Sequence, residues 1–417
     1  MKDVSTDTYL DLTDEYMKQR SSGRIPNVIT RDMYFCLEKQ EQRLSEYGIL
    51  MREEYEFSDE AVKGSVETSR RNNSTPFSGF TAYRETVRTT EFYRDDEKAL
   101  HRREPVTFYS VIVDREGSED VAVNCPNCGA VTMASQLQKG CPYCGTHFEM
   151  SELFPRISSS FSVNGIVERI GFEGRLKKAF LGIAAASFVL LLIFLFVTEG
   201  NDPEMPVALL ILKNTFYSAL MSGVLTFASY MCYSLFLLGK LFWEAGKALP
   251  MLGANSSRRR LKALMEKYDP YFFVRIFEGK LVSLLQAVLF SNDRDDLSIY
   301  EGHDDLSDFD ALLDMDYRGA FKLRDFALRD TRISVLLEVF TENIYAEKHL
   351  RRRMERILVR MERSADAVTD TGFSVHAVKC KSCAGSFDAM HARCCPYCGN
   401  EYHATESDWV ITQIRKL

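Results

Sequence analysis

Eight of the eleven cysteines fall in four Cys-x-x-Cys pairs, and no other feature narrows the fold of this chain so far. The first set reads Cys125-Pro-Asn-Cys128, twelve residues beginning with Gly129, then Cys141-Pro-Tyr-Cys144-Gly. The second reads Cys380-Lys-Ser-Cys383, eleven residues, then Cys395-Pro-Tyr-Cys398-Gly. This is metal-ligand spacing, unlike the irregular spacing of a secreted disulfide framework. Four thiolates hold Zn²⁺ tetrahedrally at about 2.3 Å. A knuckle of this form brings both its sulfurs to one ion, and a glycine after the second Cys takes the positive φ at no steric cost. Three knuckles carry that glycine; the one ending at Cys383 has Ala384. Two zinc ribbons are therefore predicted, each with one structural ion. The ligands are Cys125, Cys128, Cys141 and Cys144 in the first, and Cys380, Cys383, Cys395 and Cys398 in the second.

A closed four-thiolate site leaves no position for water, so catalysis at the metal is not expected. Each ribbon is too small for a core of its own, and metal binding would supply much of its folding energy. Cys394 competes with Cys395, and the spacing to Cys398 selects Cys395. His147, His391 and His403 lie close to the ribbons in sequence and are read as surface or neighbouring side chains, because four sulfurs already fill each site. Thiolates kept for metal imply a reducing compartment, and hence the cytosolic face.

Residues 179–197 form 19 consecutive positions without a charge. At 1.5 Å per residue such a helix spans roughly 30 Å, the thickness of a bilayer's hydrocarbon core. A second apolar block runs from Val207 to Trp243, uncharged between Lys213 and Lys240. Splitting it into two helices would leave Lys213 in mid-membrane, at about 2.5–3.5 kcal/mol. One two-helix transmembrane hairpin is thus expected over 179–241, with spans at about 179–197 and 217–239. Gly182 with Ala186, and Ala219 with Gly223, either let the spans pack closely or reflect ordinary membrane composition. Arg169, Arg175, Lys177 and Lys178 precede the hairpin, and Lys240, Lys247, Arg258, Arg259, Arg260 and Lys262 follow it. The loop between carries Glu199, Asp202 and Glu204. The positive-inside rule then predicts a multi-pass protein of a bacterial plasma membrane with both termini cytoplasmic. The polar start of the chain has no signal-peptide pattern, so the first apolar run is expected to act as an internal anchor.

The remaining sequence predicts an α+β protein, since 417 residues suggest two or three domains. Residues 1–60 read as helical, with stripes at Leu10, Leu12, Tyr16 and Met17 and at Met33, Phe35, Leu37, Leu44 and Tyr47. Strands are expected at 80–93, 106–113 and 119–124, with a turn at Arg115-Glu116-Gly117. An N-terminal α+β region thus covers 1–122 and the first ribbon 123–150. Helices follow at Arg258–Asp269 and from Tyr271 to about Phe290. An acidic loop covers 293–310, where Ser307 and Asp310 match a capping box. Strands are then expected at 317–329, 331–342, 347–362, 372–379 and 407–415.

The C-terminal order is two helices, long strands, a ribbon of the form CKSC…CCPYCG, and then Asp408-Trp409-Val410-Ile411. It resembles bacterial zinc-ribbon membrane proteins with a Tim-forty-four-like domain, a domain similar to the mitochondrial import-motor tether. The resemblance covers roughly 258–417, with the second ribbon inserted at 378–402. It implies a cone-like α+β fold similar to nuclear transport factor two, and a role in holding a protein partner near a membrane. The chain departs from the mitochondrial protein in its two ribbons and its apolar runs, so protein import is not carried over. None of the matching positions is catalytic.

Three functional readings follow. The first is a membrane-anchored, zinc-stabilised scaffold or binding protein with a protein partner and the lipid bilayer as its contacts, possessing no phosphate loop, His-Glu-x-x-His or Gly-x-Ser-x-Gly motif. The second is an enzyme using the cone's pocket, for which His303, Asp304, Asp305, Asp308 and Asp310 are the only His-carboxylate cluster. The third is nucleic-acid contact through Arg351, Arg352, Arg353, Arg356, Arg360 and Arg363, whose bland alternative is a solvated strand face paired with Glu355 and Glu362. A formal net charge of −7 weighs against nucleic acid. No cofactor besides zinc is expected. Arg258-Arg259-Arg260 reads as a topology signal or a contact to anionic lipid.

Overall fold

The computed structural model describes residues 4–56, 64–68, 77–115, 122–125, 127–133, 136, 140–146, 154–164, 172–199, 206–248, 251 and 253–417. The protein is mixed α+β, with antiparallel sheets and, among the described residues, six α-helices. It divides into two units. One joins residues 1–165 to 253–417, and the other is the intervening 166–252.

In the larger unit, α1 (Val4–Ser21) and α2 (Arg31–Glu46) precede a five-stranded sheet. Its path is β1 (Ile49–Glu56), β3 (Phe77–Arg94), β4 (Glu97–Arg115) and β7 (Arg156–Asn164), with β2 (Gly64–Thr68) also pairing with β3. The helical expectation for residues 1–60 fails at β1. Gly48 ends α2 at φ 62, and the chain turns back as a strand pairing Ile49 with Arg94. Asp95 and Asp96, both at positive φ, make the two-residue turn between β3 and β4. The turn read at Arg115-Glu116-Gly117 falls partly outside the described residues.

After α5 (Ala254–Met265) and α6 (Val274–Phe290) comes a four-stranded sheet of order β13-β10-β9-β8. Its strands are β8 (Leu312–Arg329), β9 (Arg332–Tyr345), β10 (Arg351–Ser364) and β13 (Val410–Lys416), the last formed by the Asp-Trp-Val-Ile segment. The strand expected at 372–379 is mostly irregular: a short 3-10 turn at Val375–Ala377 precedes the two-residue β11 (Val378–Lys379). The capping box at Ser307 does not form, since Asp310 pairs instead with Arg294 at 2.8 Å.

The two sheets share one core. Phe35 and Cys36 of α2, Val111 of β4 and Phe161 of β7 pack with α6 and the second sheet. Helix α6 lies so close to the first sheet that a Cβ on Gly279 would sit 2.1 Å from Ser159 Oγ. Arg43 of α2, 2 % exposed, donates to the carbonyls of Phe290, Ser291 and Phe309. It thereby satisfies carbonyls left open at the C-terminus of α6. Arg88 of β3 forks onto Asp316 of β8 at 2.9 and 2.6 Å.

The smaller unit holds α3 (Phe172–Glu199) and α4 (Val207–Ala248). Its burial pattern is reversed. Along α4, Leu210, Asn214, Ser218 and Ser222 recur every fourth residue and are buried. Ser222 Oγ lies 2.9 Å from Ser187 Oγ of α3 and donates to the Ala184 carbonyl at 2.8 Å. The large apolar side chains, among them Leu190, Val197, Phe216, Phe227 and Phe236, face outward.

The expectation of two spans, and with it a multi-pass plasma-membrane protein with both termini cytoplasmic, is corrected here. One helix alone among the described residues, Val207–Phe236, is long and apolar enough to cross a membrane. It starts earlier than 217 because α4 runs unbroken past Lys213 and through Ser222-Gly223. Among the described residues the apolar part of α3, Gly182–Thr198, is a shorter stretch.

Candidate metal centres

The four knuckles are built alike. In each, the first cysteine's N–H bonds the carbonyl five residues on, and the residue after the second cysteine donates back to the first cysteine's carbonyl. Cys125 N to Ala130 O is 2.8 Å, and Gly129 N to Cys125 O is 2.8 Å. The corresponding bonds at Cys141, Cys380 and Cys395 all lie between 2.8 and 2.9 Å. Closing so tight a loop drives the residue after the second cysteine to positive φ: 73° at Gly129, 71° at Gly145, 75° at Gly399 and 58° at Ala384. The one alanine is the irregularity already visible in the sequence, and it takes the left-handed conformation against its preference.

Each pair of knuckles sets four sulfurs together, within 4.8 Å of one another. In the first cluster Cys125 and Cys144 stand 3.7 Å apart and Cys128 and Cys141 3.8 Å. In the second, Cys380 and Cys398 are 3.6 Å apart and Cys383 and Cys395 3.7 Å. The first cysteine of every knuckle is buried and the second exposed. All eight predicted ligands are thus brought together, four and four, and each cluster can hold a metal ion. Cys394 stays outside as an exposed thiol.

Nearby groups favour the thiolate at some cysteines only: against the N–H groups of Ala130 and Asn400, burial and the neighbouring sulfurs push Cys128 and Cys398 up to about 12. The Thr146 hydroxyl, 3.4 Å from Cys144 Sγ, holds that thiol down at about 6. The backbone N–H of Cys383 does the same for Cys380, also at about 6. Asn127 Nδ2 donates to Thr146 Oγ1 at 2.8 Å and so orients it. Neither residue was singled out by spacing, and nothing in the sequence marks them. Of the neighbouring histidines, His403 pairs with Glu401 at 3.5 Å, and the His391 ring centroid lies 6.1 Å from that of Phe35. His147 lies outside the described residues.

The surroundings of the clusters differ. In the second ribbon, β11 pairs with β12 (Ser386–Phe387), and Cys380, Cys395, Phe387 and Met390 belong to the main core. Ser298 N donates to Met390 O at 2.7 Å, and Ala389 N to Val375 O at 2.9 Å. His376 Nδ1 meets Asp388 at 2.9 Å, with Arg31 of α2 3.5 Å from the same carboxylate. In the first ribbon β5 (Ala122–Asn124) pairs only with β6 (Val131–Met133), and none of its described residues joins a hydrophobic core cluster.

The other candidate sites do not assemble. Asp304 accepts from Ile414 N at 2.8 Å, Asp305 from Ser307 N at 3.0 Å, and Asp310 pairs with Arg294, while His303 is exposed. Their roles are backbone capping and ion pairing. The arginines of β10 face acids other than those expected. Arg351 and Arg353 meet Glu347, Arg352 meets Glu342, Arg356 meets Glu338, and Arg363 meets the buried Asp269 at 3.0 Å. Arg258 pairs with the buried Glu278 at 2.7 Å and is itself partly exposed.

No protein-family model, curated protein or solved structure matches this chain.

Proposed function

We propose that the chain is a zinc-stabilised scaffold or binding protein held in a lipid phase by its smaller unit, acting in transport or in protein assembly at a membrane. The observation that carries this reading is the reversed α3–α4 pair. Asn214, Ser218 and Ser222 are inside, and Phe216, Phe227 and Phe236 are outside. In water that arrangement exposes apolar surface at about 25 cal/mol per Å². In lipid it costs nothing, and small polar residues are the expected contacts between helices. Val207–Phe236 supplies the length to cross, and 22 % of its apolar window is buried, unlike a soluble core helix.

Zinc is the ion that fits. A tetrahedron with bonds of about 2.3 Å has edges of roughly 3.8 Å, and the printed sulfur pairs span 3.6 to 3.8 Å. The all-thiolate donor set favours Zn²⁺ or iron over harder ions. The ion's work is structural. For the C-terminal part, a Tim-forty-four-like domain is supported by α5 and α6 preceding the four-stranded sheet, and by a ribbon placed before the closing Asp-Trp-Val-Ile strand. Such a domain would present a surface to a partner protein.

Two measurements test the reading. Carbonate extraction of membranes should leave the full chain in the pellet, and recovery in the soluble fraction would remove the lipid anchor. Elemental analysis of the purified protein should give two zinc ions per chain, and iron in their place would remove the zinc assignment.

A further inference from the structure

A groove of about 1480 Å³ runs between α2 and α6, within the larger unit, with the second ribbon and the 369–376 segment on its rim. That exceeds the roughly 300–1,000 Å³ usual for a small-molecule site. One face of α6 lines it from Phe273 to Ala287, and aromatic rings from three directions wall it, including Phe35, Phe77, Phe373 and Trp409.

The polar groups in it are unbalanced. Four of the cations are already engaged, and Lys379 is exposed. Lys280 Nζ binds Asp408 at 2.7 Å, Arg31 meets Asp388, and Arg156 donates to the Asn27 and Ile29 carbonyls. Arg115 lies over the Phe77 ring. Three carboxylates, Asp32, Glu38 and Asp370, have no such partner among the described residues. Asp32 accepts only from the Ser374 hydroxyl, at 2.6 Å, and Asp370 from Gly372 N at 3.0 Å, and neither has a cation within 4.0 Å among the described residues. Burial, and then the negative charge of Asp408, push the Asp370 carboxyl above its ordinary value.

A third acceptor is independent of these. The His376 side chain is 6 % exposed, and its Nδ1 lies 2.9 Å from Asp388. A carboxylate only accepts, so Nδ1 carries the proton, and whenever the ring is neutral Nε2 is a bare acceptor. That Nε2 is buried and has no hydrogen-bond partner among the described residues, which is unfavourable unless a ligand pairs with it.

We propose that this groove is a binding site for an organic cation, a primary ammonium or guanidinium on an apolar body. Its N–H groups would be received by Asp32, Asp370 and His376 Nε2, and its body by the aromatic walls. The chemistry is that of donors meeting a set of acceptors, with ring faces adding attraction for the positive charge. A free amine and a lysine or arginine side chain of a partner protein present the same group. The site does not depend on lipid attachment.

The test is calorimetric titration of the full chain in detergent with hexylammonium, hexan-1-ol and hexanoate. Hexylammonium should bind at least about tenfold tighter than the alcohol, with hexanoate weakest, and a tenfold step corresponds to about 1.4 kcal/mol. Asp370→Asn should remove most of that preference while leaving the melting temperature within a few degrees. Equal affinity for the three head groups, or no ammonium binding up to roughly 10 mM, would overturn the proposal, and this comparison on the unaltered protein stands even if a variant misfolds. Competition by a lysine-containing peptide would identify a protein side chain as the natural source. Failure of the peptide to compete where hexylammonium binds would identify a free amine.

Discussion

The two ribbons close their clusters with the same turns and nearly the same sulfur spacings, yet among the described residues only the second joins a core cluster. Cys380 and Cys395 sit in the main core beside Phe387 and Met390, whereas Cys125 and Cys141, though buried, belong to no core cluster among the described residues. An ion in the first cluster would join its two knuckles; one in the second would also fix residues of the main core.

Breaking each cluster should expose this difference at its largest. Four-thiolate binding contributes roughly 10–16 kcal/mol in ribbon-sized peptides, comparable to the 5–15 kcal/mol stability of a whole domain. Cys395→Ser should lower the melting temperature of the larger unit by on the order of 10 °C or more. Cys125→Ser should abolish one zinc site and shift that transition by less than about 2 °C. Scanning calorimetry with zinc analysis reads both. Equal shifts would mean that the first ribbon is docked as firmly as the second.

The next effect is smaller and isolates docking from metal binding. Phe387 is 8 % exposed and packs into the main core, so Phe387→Ala should cost about 3–5 kcal/mol in chemical denaturation. Val131, at 64 % exposed the corresponding apolar strand residue of the first ribbon, should change stability by less than about 0.5 kcal/mol when replaced by alanine. Zinc content should remain two per chain in both variants.

The knuckles themselves give a finer contrast. Ala384 is held at φ 58 where the other three knuckles have glycine. A left-handed L-residue costs roughly 1–2 kcal/mol, partly offset by glycine's larger unfolded-state entropy of about 0.4–1 kcal/mol. Ala384→Gly should therefore stabilise the larger unit by somewhat under about 1 kcal/mol. Gly129→Ala should weaken zinc retention in the first ribbon, read by competition with a chelator, without moving the main transition. A loss of stability in Ala384→Gly would mean that the strain inferred from φ is absent.

How far the sequence disclosed this arrangement depended on what carried the signal. The eight ligands were legible because a closed knuckle tolerates only one spacing. Long strands such as β9 and β10 were legible because their apolar residues alternate. β7 was not, because its sequence Arg-Ile-Ser-Ser-Ser-Phe-Ser-Val-Asn is half small and polar. Ser159 and Ser162 are buried there nonetheless, and Ser159 is small because α6 approaches at Gly279. The shared core was also hidden, since α2 and α6 lie more than two hundred residues apart and only burial shows that Arg43 reads the end of α6. In the smaller unit the apolar character was plain, but not that one helix alone among the described residues would have crossing length. The groove's acceptors come from α2, the 369–376 segment and the approach to the second ribbon, and no spacing unites them.

The smallest effect concerns the surface clamp that fixes the second ribbon to α2. Burial works against ionisation of Asp388, but the hydrogen bond from His376, the Met390 N–H and the charge of Arg31 outweigh it, so the carboxyl is held below its ordinary value. A carboxylate whose folded-state value is lowered contributes stability above its unfolded value, here 3.8, and loses it as pH falls through the folded value. The Asp388 side chain is 42 % exposed, so water screens the interaction, and its worth is at most about 0.5 kcal/mol. The stability difference between the wild type and Asp388→Asn should thus be small and constant from about pH 5 to pH 8, and should shrink below about pH 4. Taking the difference cancels the acid loss of metal common to both proteins. Since the first ribbon's described residues include no such clamp, a difference that grew as pH fell would show that Asp388 carries its proton in the docked state, and that the ribbon is held by packing and metal alone.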